Sequence, residues 1–338
     1  MVKRQIQQIT DRMVYGKDTD WAMNIEPFDW VPGVGLYGIF HAYKATGDIR
    51  YLNFLTDWAN RHVKDAYKQK TINSAAPLLT YLSLYEETKN EDYLKVCLEL
   101  ADDILSNAPR TVDGGLEHTV TEPVPGFSDQ VWADTLFMVC IFLAKLGRMT
   151  GEKKYTDFAI QQLKIHHRLL SDGNGLYFHG YNGAKKDHMS AIRWARANGW
   201  ILYSSMEILN VSGTFDDRDK IEQAIKAHAN ALAKVQRTDG GFSTILDDPT
   251  SYTEISATAA IAAGLFLAMD AGLIGTEYQP VWQKAISAVQ NAVKENGEVD
   301  GVSSGTPVMP DADGYKNIPI TPTLYGQGLA IIALKDIE

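Results

Sequence analysis

Residues 136–143 read Leu-Phe-Met-Val-Cys-Ile-Phe-Leu, a helix-length run with no charged side chain. Three further stretches, 35–40, 259–268 and 329–334, are apolar around nearly the whole helical circumference. A helix of this kind is buried on every side, whereas an amphipathic helix lies at the surface of a protein. Amphipathic stretches such as 91–107 separate the apolar ones, so buried and surface helices alternate along the chain.

This alternation predicts an all-α fold. Four Asp-Gly loops begin at Asp113, Asp172, Asp239 and Asp300, about sixty residues apart, which is typical of a repeated helical hairpin. Six hairpins predict a closed (α/α)6 barrel, a six-hairpin toroid in one domain over residues 1–338. The last helix lacks the polar face of an open solenoid, and no alternating strand pattern is present. The expected helices are approximately 3–14, 34–46, 49–68, 73–88, 91–107, 130–149, 154–170, 195–210, 216–236, 254–271, 278–295 and 323–336.

The long loops precede the inner helices, which places six inner N-termini around one pocket. Helix N-termini carry partial positive charge and free N–H groups, so this pocket suits an anion. The alternative for the tryptophans near these loops is that they only pack beneath them. Because indole faces suit sugar rings, we expect several of them to bind substrate, Trp30 and Trp132 included; the full set is Trp21, Trp30, Trp132, Trp194 and Trp200.

Asp134 stands at the head of the apolar run. Burying an unpaired carboxylate is costly, and carboxyl groups with displaced pKa values cluster at catalytic sites. The alternative is an aspartate that only gains from the helix dipole. Apolar neighbours would raise the pKa of Asp134 and the helix N-terminus would lower it, so the direction stays open.

The composition excludes several classes of protein. A net charge of −10 without basic clusters argues against binding to nucleic acid or anionic membranes. No apolar stretch approaches the length of a membrane span, and the first residues do not resemble a secretory signal. Cys97 and Cys140 lie in apolar stretches, which predicts buried thiols and a cytoplasmic location. The spacing of His and Cys residues predicts no metal site, and we expect no cofactor.

Two short pattern matches carry no function. Residues 33–38 fit the dinucleotide-binding pattern G-x-G-x-x-G, and residues 301–305 fit the nucleophile pattern G-x-S-x-G. Both patterns require a preceding strand, and neither match has one. Close packing between helices is the better explanation for the glycines of 33–38.

Three linked motifs carry a family resemblance: 131–138 (Val-Trp-Ala-Asp-Thr-Leu-Phe-Met), 177–181 (Tyr-Phe-His-Gly-Tyr) and 193–200 (Arg-Trp-Ala-Arg-Ala-Asn-Gly-Trp). In order and spacing they resemble the unsaturated rhamnogalacturonyl hydrolases of glycoside hydrolase family 105. The resemblance covers essentially the whole chain and implies an (α/α)6 barrel. It also implies removal of a 4,5-unsaturated uronic acid from oligosaccharides left by pectin lyases. A more distant likeness to unsaturated glucuronyl hydrolases leaves glycosaminoglycan-type fragments open as an alternative substrate.

The resemblance further implies a mechanism. Asp134 would protonate C4 of the substrate's vinyl ether and help to activate the water that adds at C5. The resulting hemiketal would collapse and expel the remaining sugar. Hydration of this kind does not need the pair of carboxylates that usually flanks a glycosidic bond, and one acid/base group contributes about 10²–10⁴-fold.

Other roles follow from matched positions. His179 matches a family histidine near the uronate ring; the alternative is a solvent-exposed loop histidine. Arg196 and Trp200 are four residues apart and share one helical face. Arg196 would clamp the uronate carboxylate or, alternatively, pair with a loop aspartate, and Trp200 would stack on the sugar. Trp194 would line the outer subsite.

Some positions depart from the family pattern or allow two interpretations. Asn73 stands where some relatives carry a second carboxylate, and it would also serve as an N-cap. Glu254 is a pocket acid or part of a capping box over residues 251–254, and we favour the cap. His118 is a candidate for the rim. Residues 121–126 replace a basic pair of some family members, which leaves the identity of the leaving sugar open.

Three rival functions remain at this stage. An ordinary glycosidase on the same barrel would need a second carboxylate, for which Asp129 and Asp187 are the candidates. A sugar epimerase would use histidine bases, and only His179 is well placed. A non-catalytic sugar-binding toroid would be indifferent to Asp134→Asn. In each case the expected partner is a small oligosaccharide, and the chain would be a monomer or a homodimer.

Overall fold

The computed structural model describes residues 2–16, 20–122 and 127–337. Within these residues two short strands, β1 (Gln130–Trp132) and β2 (Gly180–Asn182), accompany the helices. The helices are α1 (Val2–Tyr15), α2 (Trp30–Thr46), α3 (Ile49–His62), α4 (Ile72–Ala75), α5 (Leu78–Thr88), α6 (Glu91–Asn107), α7 (Ile141–Thr150), α8 (Lys153–Leu170), α9 (Ala195–Ser212), α10 (Arg218–Val235), α11 (Ile255–Asp270), α12 (Gln279–Ala292), α13 (Ala312–Lys316) and α14 (Leu324–Leu334).

Six helices form a closed inner ring. Helix α2 contacts α5, and contacts continue through α7, α9, α11 and α14 back to α2. The outer helices α1, α3, α6, α8, α10 and α12 each pack against a member of this ring. The predicted all-α (α/α)6 barrel is confirmed.

The burial of each helix follows its sequence. Every residue of α14 is buried, whereas α6 buries only the face that carries Tyr93, Cys97 and Leu100. The inner helices approach closely where glycines meet. A Cβ on Gly38 would lie 2.4 Å from the Cα of Gly328, so glycine is required for α2 to pack on α14. This contact confirms helix packing as the reason for the glycine pattern in residues 33–38.

The expectation of no strands is wrong. β1 pairs antiparallel with β2, and the N–H of Ala133 donates to the carbonyl of His179 at 3.0 Å. The helix predicted over 130–149 therefore starts late, because the backbone of its first residues is used in this pairing. The chain becomes helical as a π turn at Leu136–Cys140, which continues into α7.

Other boundaries differ for local reasons. The helix predicted over 73–88 is divided at Pro77, which lacks the N–H that would continue the helical ladder. Helix α13 was not predicted. Cys97 and Cys140 are buried free thiols, as expected. In the described ranges, no helix combines the length and the apolar character that crossing a membrane requires.

Candidate active site

A cavity of about 250 Å³ opens where the loops lead into the inner helices. It brings together six of the eight site residues predicted from the sequence. His179 lies behind the wall, in contact with Asp134, and Trp200 does not reach the cavity. The lining residues are Trp21, Trp30, Asn73, His118, Val120, Glu122, Phe127, Trp132, Asp134, Met138, Trp194, Arg196, Gly305, Thr306 and Pro307.

Asp134 sits between β1 and the π turn, and its side chain is 13% exposed. Its Oδ2 lies 3.3 Å from Nε2 of His179. The two groups are not aligned as a hydrogen bond, and neither atom has another partner among the described residues. Burial alone would raise the pKa of Asp134, but His179, His118 and Arg196 outweigh this effect and hold the pKa below its ordinary value.

His179 is buried, so the alternative of an exposed loop histidine is wrong. Its Nδ1 lies 2.7 Å from Oη of Tyr315. Burial lowers the pKa of His179, Asp134 opposes this effect, and Arg196 adds to it; the net direction is downward. The imidazole is therefore neutral near neutral pH.

His118 lies deeper than the predicted rim position. Its ring stacks on Trp132 with centroids 4.3 Å apart, and Nδ1 lies 3.1 Å from Oγ1 of Thr135. Burial lowers the pKa of His118 to about 4. A neutral imidazole and an indole thus form one continuous aromatic wall beside Asp134.

Arg196 is not a free clamp. Its Nη1 contacts Glu254 at 3.4 Å and the carbonyl of Ser303 at 3.0 Å, and its Nη2 donates to the carbonyl of Ser304 at 3.0 Å. The guanidinium also lies over the rings of Trp194 and Tyr325. The predicted alternative of an aspartate partner is wrong, since the partner is Glu254.

Glu254 is a cap, as favoured. It is itself the N-cap of α11, and its Oε2 accepts from the N–H of Ala257 at 2.6 Å. Ser251, the expected cap, instead donates to the carbonyl of Asp248. The other oxygen of Glu254 accepts from the N–H of Ser303 at 2.8 Å, so this carboxylate joins α11 to the loop that follows α12.

The tryptophans divide into two groups. Trp30 stacks on Tyr325 with centroids 4.8 Å apart and, like Trp132 and Trp194, lines the cavity. Trp200 is fully buried against Phe137 because it lies beyond the first turn of α9, inside the ring. The structure therefore does not support the sugar-stacking role predicted for Trp200.

Asn73 is buried and lines the cavity, but the N-cap of α4 is Thr71, so the capping role expected for Asn73 is wrong. The carboxylates named for a two-acid glycosidase, Asp129 and Asp187, are not among the lining residues. Sequence reasoning missed Glu122 as a wall residue. Of the segment noted at 121–126, residues 123–126 lie outside the described ranges.

The inner helix N-termini are less open than predicted. Side chains of Asp29, Glu254 and Thr323 cap α2, α11 and α14, and Thr71 caps α4, the first segment of the divided helix that continues as α5. No side chain caps the π turn after Asp134 or the start of α9. The expectation of six free N-termini is wrong for four of them, and the positive potential for an anion is concentrated at the remaining two.

Comparisons with known proteins identify the family of this chain. The family model described as Glycosyl Hydrolase Family 88 matches residues 2–338. The chain belongs to glycosyl hydrolase family 88. This family-88 chain is 35% identical over 341 residues to the unsaturated rhamnogalacturonyl hydrolase YesR of Bacillus subtilis, a match that covers 99% of the chain and 95% of the relative. It is 26% identical to an unsaturated 3S-rhamnoglycuronyl hydrolase of Alteromonas, covering 91% of the chain and 77% of the relative.

Solved structures give the same result for this family-88 member. The crystal structure of a possible member of the GH105 family from Salmonella enterica superimposes with a TM-score of 0.92 at 33% identity. That match covers 99% of this chain and 92% of the other. The resemblance to family 105 predicted from three motifs is confirmed, and the chain is a glycoside hydrolase. Among the described residues, no group of three or more His, Cys, Asp or Glu side chains is arranged to hold a metal ion.

Proposed function

We propose that this enzyme releases the 4,5-unsaturated uronic acid from the non-reducing end of lyase-generated oligosaccharides, with an unsaturated rhamnogalacturonan disaccharide as its substrate. The observation that carries this proposal is the carboxylate of Asp134, unbonded at Oδ2 and set beside His179 in an indole-walled cavity. The names of the relatives from Bacillus and Alteromonas point to the same class of bond.

The chemistry requires one proton shuttle. Protonated Asp134 gives its proton to C4, which leaves an oxocarbenium-like centre at C5. The resulting carboxylate accepts a proton from water as the water oxygen bonds to C5. The hemiketal then opens: the bond between C5 and the ring oxygen breaks, which gives a ketone at C5 and a hemiacetal at C1. The hemiacetal collapses to an aldehyde as its bond to the leaving sugar breaks, and the sugar departs as an alcohol. One carboxyl thus returns to its starting state, so turnover needs no second acid, and this scheme gives the other carboxylate of the described cavity wall, Glu122, no part in the proton transfer.

The cavity also suggests how the substrate is held. Trp30, Trp132 and Trp194 offer apolar faces to the sugar rings, and Asn73 offers an amide beside Asp134. We place the uronate carboxylate toward the uncapped start of α9, where Arg196 lies. Because Glu254 already balances the charge of Arg196, backbone N–H groups contribute part of this recognition.

The charges on the wall favour an uncharged leaving sugar. Among the described lining residues the charged groups are Glu122, Asp134 and Arg196, and Arg196 is paired with Glu254. A sulfated leaving sugar would meet Glu122 without a free cation to balance it. Rhamnose therefore fits this wall better than a sulfated glycosaminoglycan sugar.

The test follows the ultraviolet absorbance of the enol ether during incubation with unsaturated disaccharides. We expect the absorbance to fall with the unsaturated uronyl-rhamnose. A saturated disaccharide has no enol ether to follow, so product analysis is used for it, and it should remain intact. Asp134→Asn should lose turnover by about 10²–10⁴-fold while still binding the disaccharide. A faster reaction with a glucuronyl amino-sugar substrate would favour the glucuronyl alternative, and binding without turnover by the unaltered enzyme would favour a sugar-binding protein.

Three further properties belong to the same proposal. We take residues 1–338 as one catalytic domain that needs no cofactor. The free thiols of Cys97 and Cys140 fit a reducing compartment, which supports a cytoplasmic location. We propose a monomer, with a homodimer as the alternative.

A further inference from the structure

Tyr315 joins the site from α13, far along the sequence from Asp134 and His179. Its side chain is fully buried, and its Oη lies 2.7 Å from Nδ1 of His179. The other ring nitrogen, Nε2, faces Oδ2 of Asp134 at 3.3 Å. One imidazole therefore stands between a phenol and a carboxylate, in a row of three side chains.

The positions of the hydrogens follow from the partners. The N–H of Met309 donates to Oη of Tyr315 at 3.3 Å. Ser190 lies near the same phenol, but its hydroxyl does not meet hydrogen-bond geometry, so the phenol's own hydrogen is left for Nδ1 of His179. Burial raises the pKa of Tyr315, so the phenol stays protonated. With Nδ1 as the acceptor, a neutral imidazole carries its hydrogen on Nε2. The opposite tautomer would direct the lone pair of Nε2 at a carboxylate oxygen, which is repulsive.

We propose that Tyr315 is a positioning residue that fixes His179 in the Nε2–H tautomer, which places the hydrogen on the ring nitrogen that faces Oδ2 of Asp134. The mechanistic part of this inference rests on the proposed function. An N–H donor at this point stabilises the carboxylate that Asp134 becomes after it has protonated C4. The tautomer decides whether the histidine stabilises or opposes that charge.

Helix α13 is held in place independently of the histidine. Asp311 caps α13 by accepting from the N–H of Gly314 at 2.8 Å. Lys316 pairs with Asp248 at 2.5 Å, and Oη of Tyr252 donates to the carbonyl of Tyr315 at 3.2 Å. The phenol is thus delivered by an anchored element, which is what a positioning role requires.

The charged and titratable groups around His179 are few. Asp134 raises the pKa of His179, whereas Arg196 lowers it and burial lowers it most. His118 lies on the far side of Trp132 and is neutral because burial lowers its pKa to about 4. None of these groups contacts Nδ1, so the tautomer depends on Tyr315.

The first test is spectroscopic and needs no activity. The protein is labelled with ¹⁵N-histidine, and long-range ¹H–¹⁵N correlation reports the tautomer of each ring near pH 7. The signal of His179 is identified by its loss in His179→Gln. We expect the Nε2–H tautomer, and an Nδ1–H tautomer in the unaltered protein would overturn the proposal whether or not Tyr315→Phe folds.

The second test uses Tyr315→Phe, with Tyr67→Phe as the matched control because it removes a hydroxyl that donates to Glu99 at the protein surface. We expect Tyr315→Phe to lower kcat by about 10²-fold with little change in KM. The ¹⁵N signals that report the tautomer of His179 should change, and the basic limb of the dependence of kcat on pH should shift. Tyr67→Phe should keep all three properties.

Two outcomes separate this inference from the proposed function. If the unaltered enzyme leaves every unsaturated disaccharide intact, the proposed function fails, while the tautomer measurement still tests Tyr315. If Tyr315→Phe keeps the Nε2–H tautomer, the kcat and the pH profile of the unaltered enzyme, the positioning role is refuted although the enzyme is active.

Discussion

Arg196 and Glu254 form an ion pair with Nη1 and Oε1 3.4 Å apart, and their side chains are 1% and 0% exposed. The carboxylate also caps α11 and binds the N–H of Ser303. A pair buried this deeply is maintained by its hydrogen bonds, and removal of one partner leaves an uncompensated charge. The pair is therefore a structural junction between α9, α11 and the loop that forms one side of the cavity.

Glu254→Ala should lower the free energy of unfolding by about 3–5 kcal/mol, because it leaves the guanidinium of Arg196 buried without a counter-charge. Urea denaturation measures this loss. Glu222→Ala is the control, since Glu222 pairs with Arg218 at the surface in an i,i+4 arrangement worth about 0.3–0.5 kcal/mol. Equal losses in the two variants would contradict the structural role of the buried pair.

The barrel was predictable because its cause is local. The apolar run at 136–143 and its counterparts specify buried helices without reference to any distant residue. The Asp-Gly loops mark the repeat of the hairpin, and six hairpins close a ring. The exceptions, β1 and β2, arise because residues 130–132 pair with a segment about fifty residues away, which periodicity does not record.

The site was predictable only in part. Asp134 was visible as a carboxylate in an apolar run, and Trp30, Trp132 and Trp194 as aromatic residues at loop ends. The hydrogen bonds that occupy the guanidinium of Arg196 could not be predicted, because its partners come from positions more than fifty residues away. Tyr315 gave no signal for the same reason. Trp200 was misassigned because helical spacing indicates which residues share a face and not how far that face extends toward the cavity.

Trp194→Phe and Trp200→Phe should separate these two tryptophans. Loss of the larger ring at Trp194, which lines the cavity, should weaken sugar binding by about 0.5–1.5 kcal/mol and raise KM about 3- to 10-fold. Trp200→Phe should leave KM unchanged, since its ring packs against Phe137 inside the barrel. Steady-state kinetics with the unsaturated disaccharide measures both. A larger effect of Trp200→Phe on KM would restore the sugar-stacking role.

Gly305→Val should narrow the cavity from the loop side. A Cβ at Gly305 would lie 2.7 Å from Cη2 of Trp21 and 2.9 Å from Cζ2 of Trp30, so the indoles must move. Overpacking of this kind costs about 1–3 kcal/mol, and about 1.4 kcal/mol of lost substrate binding would raise KM roughly tenfold. Kinetics with a disaccharide and with the smaller unsaturated methyl uronide tests the location. An equal rise in KM for both substrates would show that Gly305→Val does not act where the leaving sugar binds.

The fold should lose stability on mild acidification. Burial lowers the pKa of His166 to about 4 and the pKa values of His167 and His228 to about 3, against an ordinary value of about 6.5. The unfolded chain therefore binds protons first as the pH falls. Stability is complete above about pH 6.5 and is lost progressively below it, at roughly 1.4 kcal/mol per pH unit for each histidine.

Urea denaturation between pH 7.5 and 4.5 measures this slope. His228→Asn should flatten it, because one proton-binding site of the unfolded chain is removed. A slope of zero over this range would show that these histidines are protonated in the folded protein.

The pH profile of the reaction should reveal the charge of the substrate. In the free enzyme, His179, His118 and Arg196 hold the pKa of Asp134 low. A bound uronate brings a like charge, which favours the protonated form of Asp134 and raises its pKa. Because kcat/KM reports the free enzyme and kcat the complex, the basic limb of kcat should lie at higher pH than that of kcat/KM. The methyl ester of the unsaturated uronate lacks this charge, so with the ester the basic limbs of kcat and kcat/KM should lie at the same pH. A separation that persists with the ester would show that the uronate carboxylate does not act on Asp134.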